Sequence, residues 1–425
     1  MKKLQKILNQ LQKLHPKEID LSLDRIKNLC DKLGNPQKNI KSISVVGTNG
    51  KNSTIQAMRS ILTAANIKCN VYTSPHIQKI NERFVYNNNE IDDDKLFQIL
   101  SEVEEINNGE QITYFEILTA AFFYEAKKYK ENINIIESGL FHRFDATNIL
   151  EKTLASVVTA IGLDHTDWLP KNERTIDKII FEKTSSLLNS KIIVSKQDSS
   201  ETLEKIKKSL KSNNSKKIYF NDLYSFLLGE NNFFYYEDEH GGLKLPMPNL
   251  IGNFQLSNVA SAIATIRNID ELKISDDHIK EGITKIQNIA RLQEIKTGKL
   301  KNIVKNNKLF VDGSHNPLGA KVLTDYLDTI HLNKHIIIGM MSNKEHQKYI
   351  NFFKNKINSI TTVDIPNQPN SIKGEDLKNK IISAFDQVNY KKSIEEALKS
   401  LNLQGEDIIL ITGSLYLAGE VLNLN

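Results

Sequence analysis

The segment from Val45 to Thr54 holds the residues whose types and spacing most clearly predict chemistry. Its sequence, VVGTNGKNST, follows an apolar run and precedes an amphipathic stretch, which predicts a strand, a glycine loop and a helix. Glycines let backbone N–H groups approach phosphate oxygens, a helix N-terminus attracts anions, and a lysine neutralises phosphate charge. The alternative is an ordinary Gly-Asn turn before a helix. The predicted phosphate-binding residues are Gly47, Thr48, Asn49, Gly50, Lys51, Asn52 and Ser53.

The elements around this loop follow an α/β pattern. Strand-like apolar runs alternate with amphipathic, helix-like runs, which predicts parallel strands joined by helices. The predicted buried strands of the first part are Ser42–Val46, Asn134–Glu137, Ala155–Ile161 and Lys191–Val194. The aromatic stretch from 229 to 240 predicts a peripheral β-element. A second strand–helix series begins after about residue 298 and contains no phosphate loop, so we place a domain boundary near residue 297.

Composition excludes several classes of protein. The chain has 425 residues, with 56 basic and 51 acidic side chains, and the resulting net charge of +5 does not indicate a nucleic-acid partner. The two cysteines cannot form a disulfide framework and fit a reducing compartment. The basic N-terminal stretch reads as an amphipathic helix, because it lacks the unbroken apolar run of a signal peptide. We therefore expect a cytoplasmic protein without a membrane partner.

Further motifs follow the phosphate loop in a fixed order. They are YTSPHIQKINERF, TYFE, ESGLFHRFDATN, GLDHTDW, FEK, IGNFQLSN, ARL, DGSHNPLG and GSLYLAGE. Together with GTNGKNST they span nearly the whole chain, and the ordered set resembles the folylpolyglutamate synthase/dihydrofolate synthase family of Mur-type amide ligases. The resemblance implies a P-loop-containing parallel-sheet domain of the Mur ligase central type, with a pterin site, over residues 1–297. It also implies a smaller Rossmann-like α/β ligase domain over residues 298–425.

The resemblance implies an enzyme that adds L-glutamate to dihydropteroate, to folates, or to both, using ATP and Mg²⁺. Carboxylates are poor electrophiles, so ATP first converts one into an acyl phosphate, which the amine of glutamate then attacks. Its implied partners are these small molecules alone, and we expect a monomer. Three alternatives stay open: only one of the two activities, a peptidoglycan-type Mur ligase, or a non-catalytic nucleotide-binding switch.

The resemblance also implies the catalytic and metal-binding residues. Lys51 and its loop match the triphosphate cradle. Ser74, Glu137 and His165 match the family's magnesium ligands: a hydroxyl, a carboxylate and an imidazole. Lys183 matches a lysine that the family carries as a carbamate, an anion that helps to hold a second magnesium ion.

Each of these residues also has a structural interpretation. His165 could be a capping or core histidine, because magnesium favours oxygen ligands. Glu137 could cap a helix or pair with Arg143, and Lys183 could be a surface lysine paired with a neighbouring glutamate.

Further nucleotide contacts are implied by the resemblance. Asp312 and His315 match residues at the ribose and phosphates of ATP, and Asp312 closes a predicted strand, where α/β proteins place ligands. Asn258 and Arg291 match other nucleotide contacts, with Arg291 near the γ-phosphate. Each could instead be a helix cap or a surface charge.

The implied pterin site combines three parts of the chain. An aspartate can accept paired hydrogen bonds from an aminopterin edge, and aromatic rings can stack on the pterin. Alternatively, the aromatic pair in TYFE is simply the buried face of a helix. The matched positions are Asp20, Thr113, Tyr114, Phe115, Glu116, Phe144, Asp145 and Ala146.

Overall fold

The computed structural model describes residues 2–17, 20–385 and 387–425. It confirms the α/β class and divides the chain into two compact units, each made of several segments. The first unit comprises Met1–Ile161, Asn172–Asn249 and Leu256–Gln287. The second comprises Gly162–Lys171, Leu250–Gln255 and Asn288–Asn425, and the predicted boundary at residue 297 falls inside the last of these segments.

The first unit is built on a mixed, mostly parallel sheet. Its described strands are β1 (Lys41–Val46), β2 (Cys69–Tyr72), β3 (Phe84–Tyr86), β4 (Asn89–Glu90), β5 (Ile133–Glu137), β6 (Ala155–Val158), β7 (Lys191–Val194) and β8 (Lys217–Tyr219). They lie in the order β4-β3-β2-β5-β1-β6-β7-β8. Among these described strands, β2 pairs with β3 and β3 pairs with β4 in antiparallel fashion, and the other pairings are parallel. Strand β1 lies between β5 and β6, so the loop that follows it opens at the carboxyl edge of the parallel strands.

Helices cover this sheet and enclose its core. They are α1 (Lys2–Leu11), α2 (Asp24–Lys32), α3 (Lys51–Ala64), α4 (Asp93–Asn107), α5 (Tyr114–Ala126), α6 (Ile176–Thr184), α7 (Ser200–Ser209), α8 (Phe254–Arg267) and α9 (Asp276–Thr284). The apolar positions of α1, spaced as the sequence predicts, join one buried cluster with residues of α2, α4 and α5. The N-terminal stretch is therefore an amphipathic helix packed on this core, as predicted.

A small antiparallel sheet lies at residues 224–246. Its strands are β9 (Tyr224–Leu228), β10 (Phe233–Asp238) and β11 (Gly241–Pro246), with β10 in the middle. Burial alternates along β10, with Phe234 and Tyr236 inside and Tyr235 outside. This alternation is typical of a sheet with one covered face, and it confirms the predicted peripheral β-element.

The second unit contains its own parallel sheet. Its described strands are β12 (Gln293–Glu294), β13 (Lys308–Val311), β14 (Lys334–Ile338), β15 (Ser359–Val363), β16 (Val388–Lys391) and β17 (Ile408–Thr412), in the order β12-β13-β17-β14-β15-β16. All pairings are parallel except that of β12 with β13. The helices are α10 (Lys299–Val304), α11 (Pro317–Asp328), α12 (His346–Ile350), α13 (Gly374–Ile381), α14 (Ile394–Ser400) and α15 (Leu415–Leu424). This arrangement confirms the predicted Rossmann-like unit.

Within the described ranges, the structure contains no helix that is both long enough and apolar enough to cross a bilayer.

The contact between α3 and α9 predicts a stability effect. A Cβ at Gly282 of α9 would lie 2.5 Å from the Cα of Ile61 in α3, and Oγ of Ser60 donates to the Gly282 carbonyl at 2.6 Å. The two backbones therefore touch. We expect Gly282→Ala to lower the free energy of unfolding by about 1–3 kcal/mol, because the helices must separate. Urea unfolding followed by circular dichroism measures it.

The matched control is Gly242→Ala. The nearest heavy atom to a Cβ at Gly242 is 3.9 Å away, so this change should alter the unfolding free energy by less than about 1 kcal/mol. Equal effects of the two substitutions would show that the α3–α9 contact adapts to a methyl group.

Candidate active site

The loop after β1 requires glycine at two positions. Gly47 has a φ of 144°, and a Cβ there would lie 2.0 Å from Oγ1 of Thr159. Gly50 has a φ of 87°, and a Cβ there would lie 2.4 Å from Oδ1 of Asn258. The loop therefore passes directly against its neighbours, and the structure brings Asn258, a predicted nucleotide residue, to the phosphate loop.

The same loop is anchored to the end of β6 and opens helix α3. The backbone N–H groups of Thr48 and Asn49 both donate to the carbonyl of Ala160, at 2.9 and 3.1 Å. Helix α3 begins at Lys51 and continues through Asn52 and Ser53, and its N-terminus has no side-chain cap in the described part of the chain. The backbone donors and the dipole of this helix end are what an anion requires.

Three of the predicted residues meet at the carboxyl ends of adjacent strands. Nζ of Lys51 lies 3.7 Å from Oε1 of Glu137, the last residue of β5. The other carboxylate oxygen of Glu137 accepts a hydrogen bond from the backbone N–H of Ser74 at 3.2 Å. Glu137 is only 4% exposed, so the lysine stabilises a carboxylate that would be costly to bury alone. Lys51 also donates to the carbonyl of Gly47 at 3.2 Å.

Arg143 does not pair with Glu137, so that alternative interpretation is wrong. Its guanidinium donates to both carboxylate oxygens of Glu182, at 2.7 and 2.8 Å, and its Cζ lies 4.2 Å from the ring centre of Phe144. Burial disfavours the charged form of Glu182, but Arg143 and Lys178 outweigh it and lower its pKa. The sequence favoured Glu137 as the partner of Arg143 because Glu182 lies much further along the chain.

Lys183 is not a surface lysine. It lies in the last turn of α6, is 3% exposed, and donates from Nζ to the carbonyl of Leu140 at 2.7 Å. Its ammonium also lies 5.6 Å from the ring centre of Phe141. Burial and this nearby charge lower the pKa of His142 to about 4. Lys183 therefore occupies an interior position, as a functional lysine would.

The TYFE segment forms the start of α5. Thr113 is the N-cap residue, and Glu116 completes a capping box by accepting the Thr113 backbone N–H at 2.8 Å. Tyr114 and Phe115 are partly buried against the core, and Phe115 stacks on Tyr72 with ring centres 6.0 Å apart. Local structure thus accounts for these residue types, and their contact with a pterin stays a prediction.

Asp20 is connected to this helix start through an arginine. Arg25 donates from Nη1 to Asp20 and from Nε to Glu116, both at 3.0 Å. Its Nη2 also donates to the Asp20 carbonyl at 2.8 Å. The structure therefore brings Asp20 and the TYFE segment together, and Arg25 makes the connection.

Asp145 organises its own loop. Its carboxylate accepts hydrogen bonds from the backbone N–H groups of Gly139, Leu140 and Thr147, at 2.9–3.1 Å, and from the Thr147 hydroxyl at 2.6 Å. Burial raises the pKa of Asp145, and these hydrogen bonds oppose the rise. Ala146 beside it is buried in the core. In this structure the carboxylate is used by the protein itself, and its contact with a pterin stays a prediction.

In the second unit, Asp312 follows β13 and fixes the surrounding loops. Its carboxylate accepts the backbone N–H groups of Leu292 and Ser314, each at 2.7 Å. Burial raises its pKa, while the positive charge of Arg291 opposes that rise. The imidazole of His315 contacts the Gly313 carbonyl at 2.9 Å. The predicted nucleotide residues Asp312, Arg291 and His315 therefore lie in one loop region.

His165 belongs to the second unit, in the segment Gly162–Lys171. Its neighbour Asp164 accepts hydrogen bonds from Nζ of Lys344 at 2.8 Å and from the side chain of Asn316 at 3.0 Å. Nε2 of His315 lies 3.5 Å from the same carboxylate. Burial opposes ionisation of Asp164, yet His165, His315 and the neighbouring lysine hold its pKa well below the ordinary value.

The predicted magnesium ligands lie on both units. Ser74 and Glu137 are adjacent in the first unit and offer the hydroxyl and carboxylate oxygens that magnesium prefers, so their chemistry fits this ion. Lys183 lies in the same unit, whereas His165 lies in the other. In residues 2–17, 20–385 and 387–425, no group of at least 3 His, Cys, Asp or Glu could alone hold a metal ion. The complete ligand set stays a prediction.

The residues that hold these positions carry little signal in the sequence. Asp164 stands inside the GLDHTDW block, so its place beside His165 was the available signal. Lys344 is separated from Asp164 by 180 positions, and no local pattern marks it. Arg25 lies in an ordinary amphipathic helix, where an arginine predicts only an exposed face.

Comparison with known proteins identifies family models over most of the chain. The Mur ligase middle domain matches residues 45–266, and the glutamate ligase domain of Mur ligases matches residues 291–415. A relative named dihydrofolate synthase/folylpolyglutamate synthase, from Escherichia coli, is 28% identical over 98% of this chain and 94% of its own length.

Solved structures are similar over the same extent. One is E. coli FolC in complex with DHPP and ADP, with a TM-score of 0.85 and 26% identity, covering 99% of this chain and 97% of that one. Another is a bifunctional folylpolyglutamate synthase/dihydrofolate synthase from Yersinia pestis, complexed with AMPPNP and an Mn ion. It has a TM-score of 0.86 and 25% identity, and covers 99% of this chain and 97% of that one.

The position of Lys51 predicts the effect of removing its charge. We expect Lys51→Met to weaken ATP binding by roughly 100-fold, because about 3 kcal/mol of charge-assisted contact with phosphate is lost. Isothermal titration calorimetry measures the dissociation constant. Lys41→Met is the control, since Lys41 pairs with exposed Glu131 at the other end of β1. Equal ATP affinity in wild type and Lys51→Met would contradict the phosphate-loop assignment.

The contacts of Asp164 predict a local loss of order. Asp164→Asn should destabilise the second unit by roughly 3 kcal/mol, because it leaves Lys344 partly buried without its counter-charge. Hydrogen exchange of residues 162–171 should then accelerate. The control is Asp167→Asn, because the exposed Asp167 side chain accepts a hydrogen bond from the Asn343 amide and forms no ion pair within the described ranges. Unchanged exchange in Asp164→Asn would show that other contacts hold this segment.

Proposed function

The chain belongs to the Mur ligase family, as its motifs predicted, and we propose that it is an ATP-dependent ligase joining L-glutamate to dihydropteroate, to folates, or to both. The observation that carries the proposal is the meeting of Lys51, Glu137 and Ser74 beside the N-terminus of α3. Several relatives that match over nearly their whole length bear the names of both activities, and others bear the name of one.

The first step activates a carboxylate. An oxygen of the substrate carboxylate attacks the γ-phosphorus of ATP, and the bond between that phosphorus and the β-phosphate oxygen breaks. The products are ADP and an acyl phosphate. The N-terminus of α3 and Lys51 hold the phosphate oxygens during this transfer, because both present positive charge to them. A magnesium ion held by Ser74 and Glu137 would supply further charge neutralisation to the phosphates.

The second step forms the amide. The amino group of L-glutamate attacks the acyl carbon, the resulting tetrahedral intermediate expels phosphate, and the nitrogen loses a proton. Exclusion of water matters here, because water would hydrolyse the acyl phosphate. In the second unit we assign nucleotide contact to Arg291, Asp312 and His315. The Asp312 carboxylate holds the surrounding loops by accepting hydrogen bonds from the backbone N–H groups of Leu292 and Ser314.

We further propose that Lys183 is carbamylated. Its buried Nζ donates to the Leu140 carbonyl, and a carbamate keeps one N–H for this bond while its new carboxylate replaces the buried positive charge. The monomeric state and the cytoplasmic location are predictions as well. Both cysteines are buried and unpaired, in keeping with a reducing compartment.

Phosphate release tests the proposed function. With Mg-ATP, purified protein should release phosphate only when L-glutamate and either dihydropteroate or tetrahydrofolate are both present. Glu137→Ala should lower this turnover by about 100-fold or more, because Lys51 loses its partner and the proposed metal site loses its carboxylate. Glu131→Ala is the control, since Glu131 is exposed and pairs only with Lys41 in the described structure.

The substrate arms separate the alternatives. Activity with only dihydropteroate or only tetrahydrofolate would assign a single synthase. Activity with nucleotide-linked cell-wall precursors alone would assign a peptidoglycan-type ligase. ATP binding without turnover for any acceptor would contradict the ligase and support a nucleotide-binding switch.

A further inference from the structure

Arg83 carries a guanidinium that no acidic side chain neutralises in the described part of the chain. Its Nε donates to Nδ1 of His76 at 3.0 Å, and it forms no ion pair there. Three other arginines of the first unit, Arg25, Arg143 and Arg267, each lie within 3.4 Å of a carboxylate oxygen. Arg59 instead donates to the carbonyl oxygens of Gln56 and Asn88. A half-buried cation without a counter-charge is costly, and a ligand that supplies a negative charge would remove that cost.

The neighbours of Arg83 cannot supply that charge. Arginine has only donors, so Nδ1 of His76 must accept its hydrogen bond, which makes the imidazole a neutral partner. Glu82, the adjacent acid, uses its carboxylate oxygens to accept the backbone N–H groups of Ile77, Gln78 and Lys79. Its carboxylate therefore holds the preceding turn, and among the described residues it forms no ion pair with Arg83.

Arg83 lies beside the residues assigned to substrate. Its carbonyl accepts the backbone N–H of Thr73 at 3.2 Å, so it is directly across from the segment that leads into Ser74. Phe84, the residue after Arg83, pairs with Tyr72 across the sheet. Burial raises the pKa of Tyr72 and of Tyr114, and the positive charge of Arg83 opposes both rises. Tyr72 in turn stacks on Phe115.

We propose that Arg83 binds a carboxylate of a substrate, with His76 as the residue that orients the guanidinium. Nε of Arg83 already donates to His76. The two terminal guanidinium nitrogens can therefore donate a bidentate pair of hydrogen bonds to a carboxylate, which is the geometry that arginine favours. The proposal rests on the ligase function. Apart from ATP, its substrates all carry carboxylates: the benzoate group of dihydropteroate, the glutamyl tail of a folate, and L-glutamate itself.

Steady-state kinetics of Arg83→Gln and Arg83→Lys test the proposal. Arg83→Gln should raise KM at least 10-fold for a carboxylate substrate, with kcat reduced less than threefold and the KM for ATP within twofold of wild type. Arg83→Lys keeps the positive charge but loses the bidentate donor geometry of the guanidinium, and should give an intermediate KM. Arg59→Gln is the control, because Arg59 donates to the Asn88 carbonyl and has no carboxylate partner among the residues that the structure describes.

Three substrate arms identify the source of the carboxylate. A rise in KM for L-glutamate alone assigns the incoming amino acid. A rise for tetrahydrofolate alone assigns the glutamyl tail. A rise for both tetrahydrofolate and dihydropteroate assigns the carboxylate that is activated.

A carboxamide analogue separates binding from a merely structural role. For the substrate whose KM rises, the analogue with that carboxylate replaced by a carboxamide should bind wild type and Arg83→Gln within twofold of each other. Equal losses for acid and amide, or unchanged KM for all three substrates, would overturn the proposal. If Arg83→Gln does not fold, Arg83→Lys is judged by the same criteria. Because wild-type turnover is measured in parallel, failure of the ligase function itself would be seen separately.

Discussion

The pairing of Lys51 with Glu137 is the interaction on which the first unit depends. The lysine opens α3 and the glutamate ends β5, and these elements meet because β1 and β5 are adjacent parallel strands. A carboxylate this buried requires a cation, and a lysine at a phosphate loop is held ready by an anion until a nucleotide arrives. The glycine positions of the loop and its bonds to the Ala160 carbonyl serve to keep these two groups in reach.

The second unit shows the same principle with a different charge arrangement. Asp164 and Asp312 are buried carboxylates surrounded by cations and backbone donors. Asp164 fixes the segment that carries His165, while Asp312 fixes the loops that carry Arg291 and His315. In both units, acids of the protein itself position the groups assigned to ATP, so these acids form part of the electrostatic framework of the site.

Sequence predicted the elements whose patterns are local. The strand, loop and helix around Lys51, the parallel strands that end at Glu137 and Val194, and the second strand–helix series all follow from apolar periodicity and glycine placement. The short strands β4 and β12 were not predicted, because two residues carry no periodicity.

Partners distant in the chain were also beyond sequence reasoning. Arg143 is near Glu137 in sequence, yet it pairs with Glu182 because the loop turns it toward α6. Motif resemblance supplied the assignment of Asp145, and the structure adds that this carboxylate already holds its own loop through four hydrogen bonds. Residue type alone could not distinguish an acid directed at a ligand from one directed at the backbone.

The second unit is assembled from three separate stretches of the chain. The glutamate ligase model matches residues 291–415, but the folding unit also contains Gly162–Lys171 and Leu250–Gln255. A fragment cut at residue 298 would lack Asp164, and Lys344 and Asn316 would lose the acceptor that both contact. The sequence module recognised by homology is therefore smaller than the module that folds, and grafting this domain between relatives requires transplanting three stretches of chain together.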